Sequence, residues 1–291
     1  MLTESCRVDH AETLTEGHIA MRAAPGETTQ TAPLHAPLIE RWGTGPAGVV
    51  LICEHASNAL GDAGLGGDLG LDAAARMDHV AWDIGALGLA RGLSERLAGV
   101  AGAAVLVHAP LSRLVYDLNR APDHPQAMPA RSEVHEVPGN RALGTAERIA
   151  RVERVYAPFH AGLSAEIARQ IALGRRPALI AVHSFTPVFH GQRRAVEFGV
   201  IHDEDTALSM AVMEAARNCG LITRLNEPYS AAGDVTHTIR LHAVPNRLAN
   251  TMLEIRNDLI ADASAQAAMA ERLAPVLAQA LMQTGALACA S

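Results

Sequence analysis

The chain lacks most of what marks an exported, membrane-bound or nucleic-acid-binding protein. Its four cysteines, Cys6, Cys53, Cys219 and Cys289, are far apart and have no CxxC spacing, which argues against a disulfide framework. No apolar run approaches the ~20 residues of a spanning helix. The N-terminus, with Glu4, Asp9 and Glu12, lacks the basic-then-apolar layout of a secretory signal, so the expected location is the cytoplasm. Basic charge is also short: 24 Lys plus Arg stand against 31 Asp plus Glu, for a net charge of −7. That balance gives no electrostatic reason to expect a nucleic acid or an anionic membrane as partner. Repeats, heptads and basic patches are missing, which leaves a scaffold role little support. No serine lies in a G-x-S-x-G elbow, so a serine nucleophile is not expected.

With 291 residues, 49% of them hydrophobic, the chain can bury a full core. Residues 1 to about 45 mix Thr, Glu, Ala and Pro without periodicity and read as an irregular tail, leaving a single domain over residues 46–291. Gly48 to Cys53 is a short continuous apolar run, the pattern of a strand buried on both faces. Ala178 to Val182 repeats it, and Val105 to Val107, Phe198 to Ile201 and Thr251 to Ile255 read as further strands. A Gly-rich loop, Gly61 to Gly70, precedes one or two helices over Leu71 to Leu97, with Asp72 near the start. Other helices are expected over Thr145 to Leu173, capped by Thr145 and ended by Gly174, over Ala207 to Cys219 and over Ala263 to Met282. Ser112 to Asn140 reads as a long loop, a place to look for substrate contacts. Alternating strands and helices predict a single-domain, three-layer α/β/α fold with a mixed, mainly parallel sheet.

Three polar residues, His55, His183 and Glu254, stand after or at the end of buried strands. In an open α/β sheet such positions converge on the crevice at the strands' carboxyl edge. A lone histidine there is more often a packing residue; two at equivalent strand ends shift the balance toward metal binding. Two imidazoles and a carboxylate can hold Zn²⁺ with a position left open, and a second carboxylate can deprotonate water. Glu254 lies between Leu253 and Ile255 in an apolar strand. Pairing with Arg256 or Arg240 would account for it, but burial of a carboxylate is costly without compensation, which favours a functional role. Cys53 is expected to be a small core residue.

The segments Cys53-Glu54-His55-Ala56-Ser57-Asn58, His79-Val80-Ala81-Trp82-Asp83-Ile84-Gly85-Ala86, Ser112-Arg113, Asp117-Leu118-Asn119-Arg120, Val182-His183-Ser184-Phe185 and Leu253-Glu254-Ile255-Arg256 together resemble the N-formylglutamate amidohydrolase family, over residues 48 to 285. Two of them are also similar to the more distant zinc carboxypeptidases and aspartoacylase. The resemblance implies a zinc-carboxypeptidase-like fold. It also implies one Zn²⁺ per chain, or another divalent metal, held by His55, His183 and a carboxylate, with Glu254 as general base and Arg113 directed at the oxygen of the scissile carbonyl. Asn119 and Arg120 would bind the substrate carboxylate, and a planar guanidinium suits that task. His160 and His242 look like family positions that contact substrate or support the site, with a plain packing role left open for both. The departure is at position 58, where the carboxypeptidase pattern His-x-x-Glu meets Asn58. The carboxylate ligand is then expected to be Asp83, on a Gly-bearing helix, with Asp78, Glu54 and Asn58 left open.

The implied reaction is metal-dependent hydrolysis of N-formyl-L-glutamate to formate and L-glutamate, a step of amino-acid degradation at the end of histidine catabolism. The alternatives are a deacylase or carboxypeptidase-like hydrolase of another N-acyl or N-carbamoyl amino acid or short peptide, and a non-catalytic protein that binds a small carboxylate. The expected partner is the small-molecule substrate, with a homodimer left open.

Overall fold

Five consecutive apolar residues, Val49–Cys53, can only be satisfied by burial on both faces, and this strand, β2, has no exposed residue. Its side chains alternate. Val50 and Ile52 join one hydrophobic cluster, while Val49, Leu51 and Cys53 join the other. The computed structural model describes residues 35–230 and 234–287, all within the unit Ala32–Ser291. Around β2 lie β1 (Leu38–Gly43), β3 (Ala103–His108), β4 (Ala178–Phe185), β5 (Phe198–Ile201), β6 (Thr223–Leu225) and β7 (Asn250–Arg256). They form one seven-stranded sheet in the order β1-β3-β2-β4-β7-β5-β6. The pairs β2/β3, β2/β4, β4/β7 and β5/β6 are parallel; β1/β3 and β5/β7 are antiparallel. The sheet is therefore mixed and mainly parallel, as expected.

Helices cover both faces because each offers one apolar stripe at helical spacing. On one side α1 (Ala86–Ala101) contributes Leu89, Leu93 and Leu97, α3 (Ala207–Ala215) contributes Leu208 and Val212, and α4 (Ala263–Gln283) contributes Leu273, Leu277 and Leu281. On the other, α2 (Ala157–Ala172) contributes Phe159, Leu163 and Ile167. Among the described residues no helix is long and apolar enough to cross a membrane.

Several expectations need correction. The tail does not run to residue 45, because Leu38–Gly43 pairs with β3 as an antiparallel edge strand in which no residue is fully buried. That mixed exposure hides it from a search for apolar runs. The earlier part of the expected tail, with Cys6, and the terminal Cys289 lie outside the described residues. Two helices, the alternative left open for Leu71 to Leu97, are present as a short helix, Ala73–Met77, and α1; Asp83, expected on a helix, lies instead in the turn-rich connection between them. Gly85 makes that break: its φ of +81° is left-handed, a conformation that glycine adopts without cost. Thr145 is the first residue of its helix, and Gly144 is the cap, with its N–H donating to the Glu147 carboxylate at 2.8 Å. The long loop contains a small hairpin, Arg131–Ser132 with His135–Glu136, and a second hairpin joins Val188–Phe189 to Gln192–Arg193.

β2, β4 and β7 are adjacent and parallel, so the residues at their carboxyl ends share one edge of the sheet. Glu254 is the direct neighbour of His183 in the β4/β7 register and of Gly199 in the β7/β5 register. A Cβ on Gly199 would lie 2.1 Å from the Glu227 carbonyl oxygen and 3.1 Å from Glu254 Cβ, and one on Gly85 would lie 2.1 Å from the Ile260 carbonyl oxygen. Gly85→Ala is accordingly expected to destabilise the fold by about 2 kcal/mol or more, through a left-handed φ and a backbone clash together. Denaturant unfolding monitored by circular dichroism checks this; a midpoint equal to that of the native chain would refute the packing argument.

Candidate active site

His55 follows β2, and its carbonyl accepts the Asp83 N–H at 2.9 Å, which ties the connection before α1 to the end of the strand. The Ser184 hydroxyl donates to the Ile84 carbonyl at 2.8 Å and the Ser184 N–H to Asp83 Oδ2 at 3.2 Å, so the end of β4 grips the same connection. These bonds bring His55, Asp83 and His183 together. Each offers a ligand atom within 4.8 Å of the other two, and all three are buried. Asp83 Oδ2 lies 2.9 Å from His183 Nδ1 and 3.4 Å from His55 Nδ1, so both rings turn the same nitrogen toward one carboxylate.

The opposite nitrogens face two further acids. His55 Nε2 lies 2.8 Å from Asp117 Oδ1. His183 Nε2 is 3.3 Å from Glu54 Oε2, a contact out of line for a hydrogen bond. Carboxylates placed in this way fix the tautomer and orientation of a ligating imidazole. Arg113 closes the group, with Nη2 donating to Asp117 Oδ2 at 2.6 Å and Nη1 to Asp83 Oδ1 at 3.3 Å.

The charges account for the titration behaviour. Burial opposes ionisation of Asp83, yet His55 and His183 outweigh it and hold the carboxyl far below its usual range. Burial likewise opposes the charge on Asp117, but Arg113 and His55 keep it well below that range. Glu54, also desolvated, is drawn down to about 2 by His183 and His55. The His183 ring, which burial alone would lower, is held well above the usual histidine value by Glu54 and Asp83. Glu254 behaves differently. Desolvation dominates, aided by the charge on Asp83 and opposed by His183, His55 and Arg113, and its pKa rises to about 7.

Glu254 Oε2 is buried without a hydrogen-bond partner. It opens on the same cavity, of about 290 Å³, as His55, Asp83, His183, Arg113 and Arg120. Four buried carboxylates, Glu54, Asp83, Asp117 and Glu254, thus surround two imidazoles and one guanidinium. Two imidazole nitrogens and a carboxylate oxygen around one point, in a group this rich in anions, fit a divalent cation.

The expected site residues divide clearly. His55, Asp83, His183, Glu254, Arg113, Asn119 and Arg120 all line the cavity. Asn119 uses its amide on the chain: Nδ2 donates to the Val235 carbonyl at 2.5 Å and Oδ1 accepts the Thr238 N–H at 2.9 Å. It brackets segment 235–238 beside Arg120. His160 and His242 do not line the cavity, contrary to the expectation of substrate contact. They stack with ring centroids 5.2 Å apart and an interplanar angle of 15°, with His160 Nδ1 2.9 Å from His242 Nε2. His160 Nε2 donates to the Leu118 carbonyl at 3.0 Å, which steadies the stretch leading into Asn119 and Arg120 from behind. Of the carboxylate alternatives, Asp78 is taken by His79 and His135, and Glu54 faces the far side of His183. The Asn58 amide turns away, donating to the Arg76 carbonyl at 3.0 Å. Sequence reasoning missed the work of Asp117 and Glu54 behind the two rings. The one signal for each was its place beside a residue already singled out.

Fold and site together describe an α/β protein with a buried His–Asp–His cluster able to hold a cation, and a buried carboxylate without a hydrogen bond to Oε2, at one edge of the sheet. The chain belongs to the N-formylglutamate amidohydrolase family, whose sequence pattern matches residues 47–261. The gene product Atu2144 from Agrobacterium tumefaciens has a similar crystal structure, with 45% sequence identity, a TM-score of 0.79, and 84% of this chain and 95% of that one covered. N-formylglutamate amidohydrolase from Ralstonia eutropha JMP134 shares the fold at 17% identity, with a TM-score of 0.56 over 85% of this chain and 97% of that one. No curated protein matches the chain.

The stacked histidines generate a pH prediction. Burial, aided by the neighbouring histidines, lowers His160 to about 3, and burial lowers His242 to about 4, so both stay neutral when folded at pH values where they charge when unfolded. Their contribution to stability is present above about pH 6.5 and is lost as pH falls toward 4, at about 1.4 kcal/mol per pH unit for each group that charges only on unfolding. His242→Gln keeps an N–H for His160 and removes one titrating ring. It is expected to flatten the dependence of the denaturation midpoint between pH 7 and pH 5, and a slope identical to that of the native chain would contradict the assignment.

Proposed function

We propose that the protein hydrolyses the amide bond of an N-acyl amino acid with a free carboxylate, N-formyl-L-glutamate giving formate and L-glutamate, in the cytoplasmic degradation of histidine. His55, Asp83 and His183 would hold a divalent metal, zinc by the character of the donor set. When bound, such an ion polarises a carbonyl and lowers the pKa of water. The observation that carries the proposal is the buried, unpartnered carboxylate of Glu254 beside the His–Asp–His cluster in one cavity.

Glu254 takes a proton from the attacking water as its oxygen bonds to the acyl carbon. It then delivers that proton to the nitrogen as the C–N bond breaks, and the second proton of the water passes from the new acid to the amine, so the products are a carboxylate and an ammonium. A carboxyl group tuned toward neutral pH suits both halves of this cycle. Arg113, fixed by Asp83 and Asp117 and lining the cavity, supplies a rigid positive charge for the oxyanion that forms between the two steps. Arg120 receives the substrate's carboxylate. Its guanidinium donates to the Asp234 carbonyl and forms no ion pair with a carboxylate among the described residues.

A protein that only binds a carboxylate ligand gains nothing from an acid facing an anion, and Glu254 therefore favours catalysis over binding alone. Glu254→Gln should lower kcat for N-formyl-L-glutamate by at least about a hundredfold while substrate affinity, measured by calorimetry, stays within a few-fold. Full turnover by that variant would remove Glu254 from the base role. Exhaustive chelation should abolish activity and added zinc restore it; undiminished rates in metal-free protein would refute the metal assignment. Rates on N-formyl, N-acetyl and N-carbamoyl amino acids identify the acyl group, with the formyl compound expected to be fastest.

A further inference from the structure

The chain contains no lysine, so arginines are its only permanent side-chain cations. The cavity is lined by Arg113, Arg120 and Arg131 and by the histidines His55, His79 and His183. Four of these six groups are held by the protein's own acids. Arg113 is held by Asp83 and Asp117, while His55 and His183 lie among Asp83, Asp117 and Glu54. His79 has Asp78 Oδ1 2.5 Å from Nδ1 and Glu133 Oε2 2.8 Å from Nε2. Arg120 and Arg131 remain.

Arg131 opens the small hairpin at the rim of the cavity. Its Nε donates to the Glu133 carbonyl at 3.0 Å, which fixes the direction of the side chain. Its carboxylate contact is weak: Nη1 lies 3.7 Å from Glu136 Oε1, with both side chains exposed, and Glu136 is taken more closely by Arg141 at 3.0 Å. Glu133, the acid nearest in sequence, is turned elsewhere, since its Oε2 meets His79 and its Oε1 accepts the His190 N–H at 2.9 Å. These bonds also dock the tip of the hairpin onto the cavity wall and the second hairpin. Arg131 is thereby held at the rim of the cavity, its one carboxylate contact a long and exposed one.

We infer that Arg131 is the specificity-determining residue of this cavity: with Arg120 on one carboxylate of the substrate, Arg131 reads the carboxylate of its side chain. The inference rests on the reading of the cavity as a site for N-acyl amino acids. Two guanidiniums in one cavity, neither closely held by a carboxylate of the described residues, match two carboxylates, and each charge-assisted contact discriminates against a neutral isostere.

The test compares N-formyl-L-glutamate with its neutral isostere N-formyl-L-glutamine in the native, Arg131→Gln and Arg131→Lys proteins. The native protein should prefer the glutamate compound by about tenfold or more in kcat/KM. Arg131→Gln should erase that preference through KM, with kcat and the rate on the glutamine compound within about twofold, and Arg131→Lys should keep part of it. A preference that survives Arg131→Gln, or an equal loss on both compounds, overturns the assignment. Calorimetric binding of glutarate and its half-amide separates this inference from the activity. If the native protein turns over neither N-formyl compound yet binds glutarate more tightly in an Arg131-dependent way, the hydrolysis reading fails and the dianion site stands. If it binds both acids alike, the dianion site fails.

Discussion

The site depends on one buried carboxylate that four groups share. Asp83 stands within reach of two imidazoles, accepts the Ser184 N–H and is held by the guanidinium of Arg113. An ionised carboxyl in so dry a place would be strongly disfavoured by itself. Here the surrounding donors reverse the balance and keep it charged. Because those donors come from the end of β2, the end of β4 and the long loop after β3, the same bonds that satisfy Asp83 also fix three separate parts of the chain against each other. Solvating the charge and assembling the site are one event.

That arrangement explains why acids also stand behind the rings. A histidine whose Nδ1 faces Asp83 could rotate or change tautomer if its Nε2 were free, and Asp117 and Glu54 remove that freedom. The result is a local excess of negative charge that Arg113 offsets only in part. Glu254 enters this environment without a hydrogen bond to Oε2 and is the one acid of the four whose pKa is pushed upward. The same burial therefore accompanies three carboxylates held low and one raised toward neutral pH, the difference on which the proposed base role of Glu254 rests.

What could be read from the sequence follows the strength of the physical signal. β2, β4, β5 and β7 are continuous apolar runs, and burial on both faces leaves few other ways to satisfy them; all four are strands close to the expected bounds. Since three of them end in His55, His183 and Glu254, the core of the site was legible with them. β1 and β6 were not, because edge strands alternate or lie half-exposed and carry little hydrophobic signal. The place of Asp83 was misread as helical because Ala and Leu on either side of Gly85 continue a helical rhythm that the left-handed glycine interrupts. For His160 and His242 the family resemblance offers substrate contact, support of the site or packing, and sequence does not choose among these because their stacking is a long-range fact set by where α2 meets the helix His237–His242. Asp117 and Glu54 stayed hidden for the same reason, since each acts on a ring contributed from elsewhere in space.

The division between sheet and loops has a consequence for how such a site can change. His183 and Glu254 are fixed by strand register and His55 follows directly on β2, and even Gly199, two strands from β4, is constrained by the Glu227 carbonyl and by Glu254 Cβ. Substitutions there disturb chemistry and fold together. The hairpins at the rim are held by a few side-chain bonds around Glu133 and contribute no residue to the buried core of the sheet. A new side chain on a rim hairpin can alter which substrate fits without moving the cluster around Asp83. On the proposed reading reactivity and selectivity are separable, because the cluster around Asp83 is tied to the ends of the central strands while the rim hairpins are tied mainly to one another.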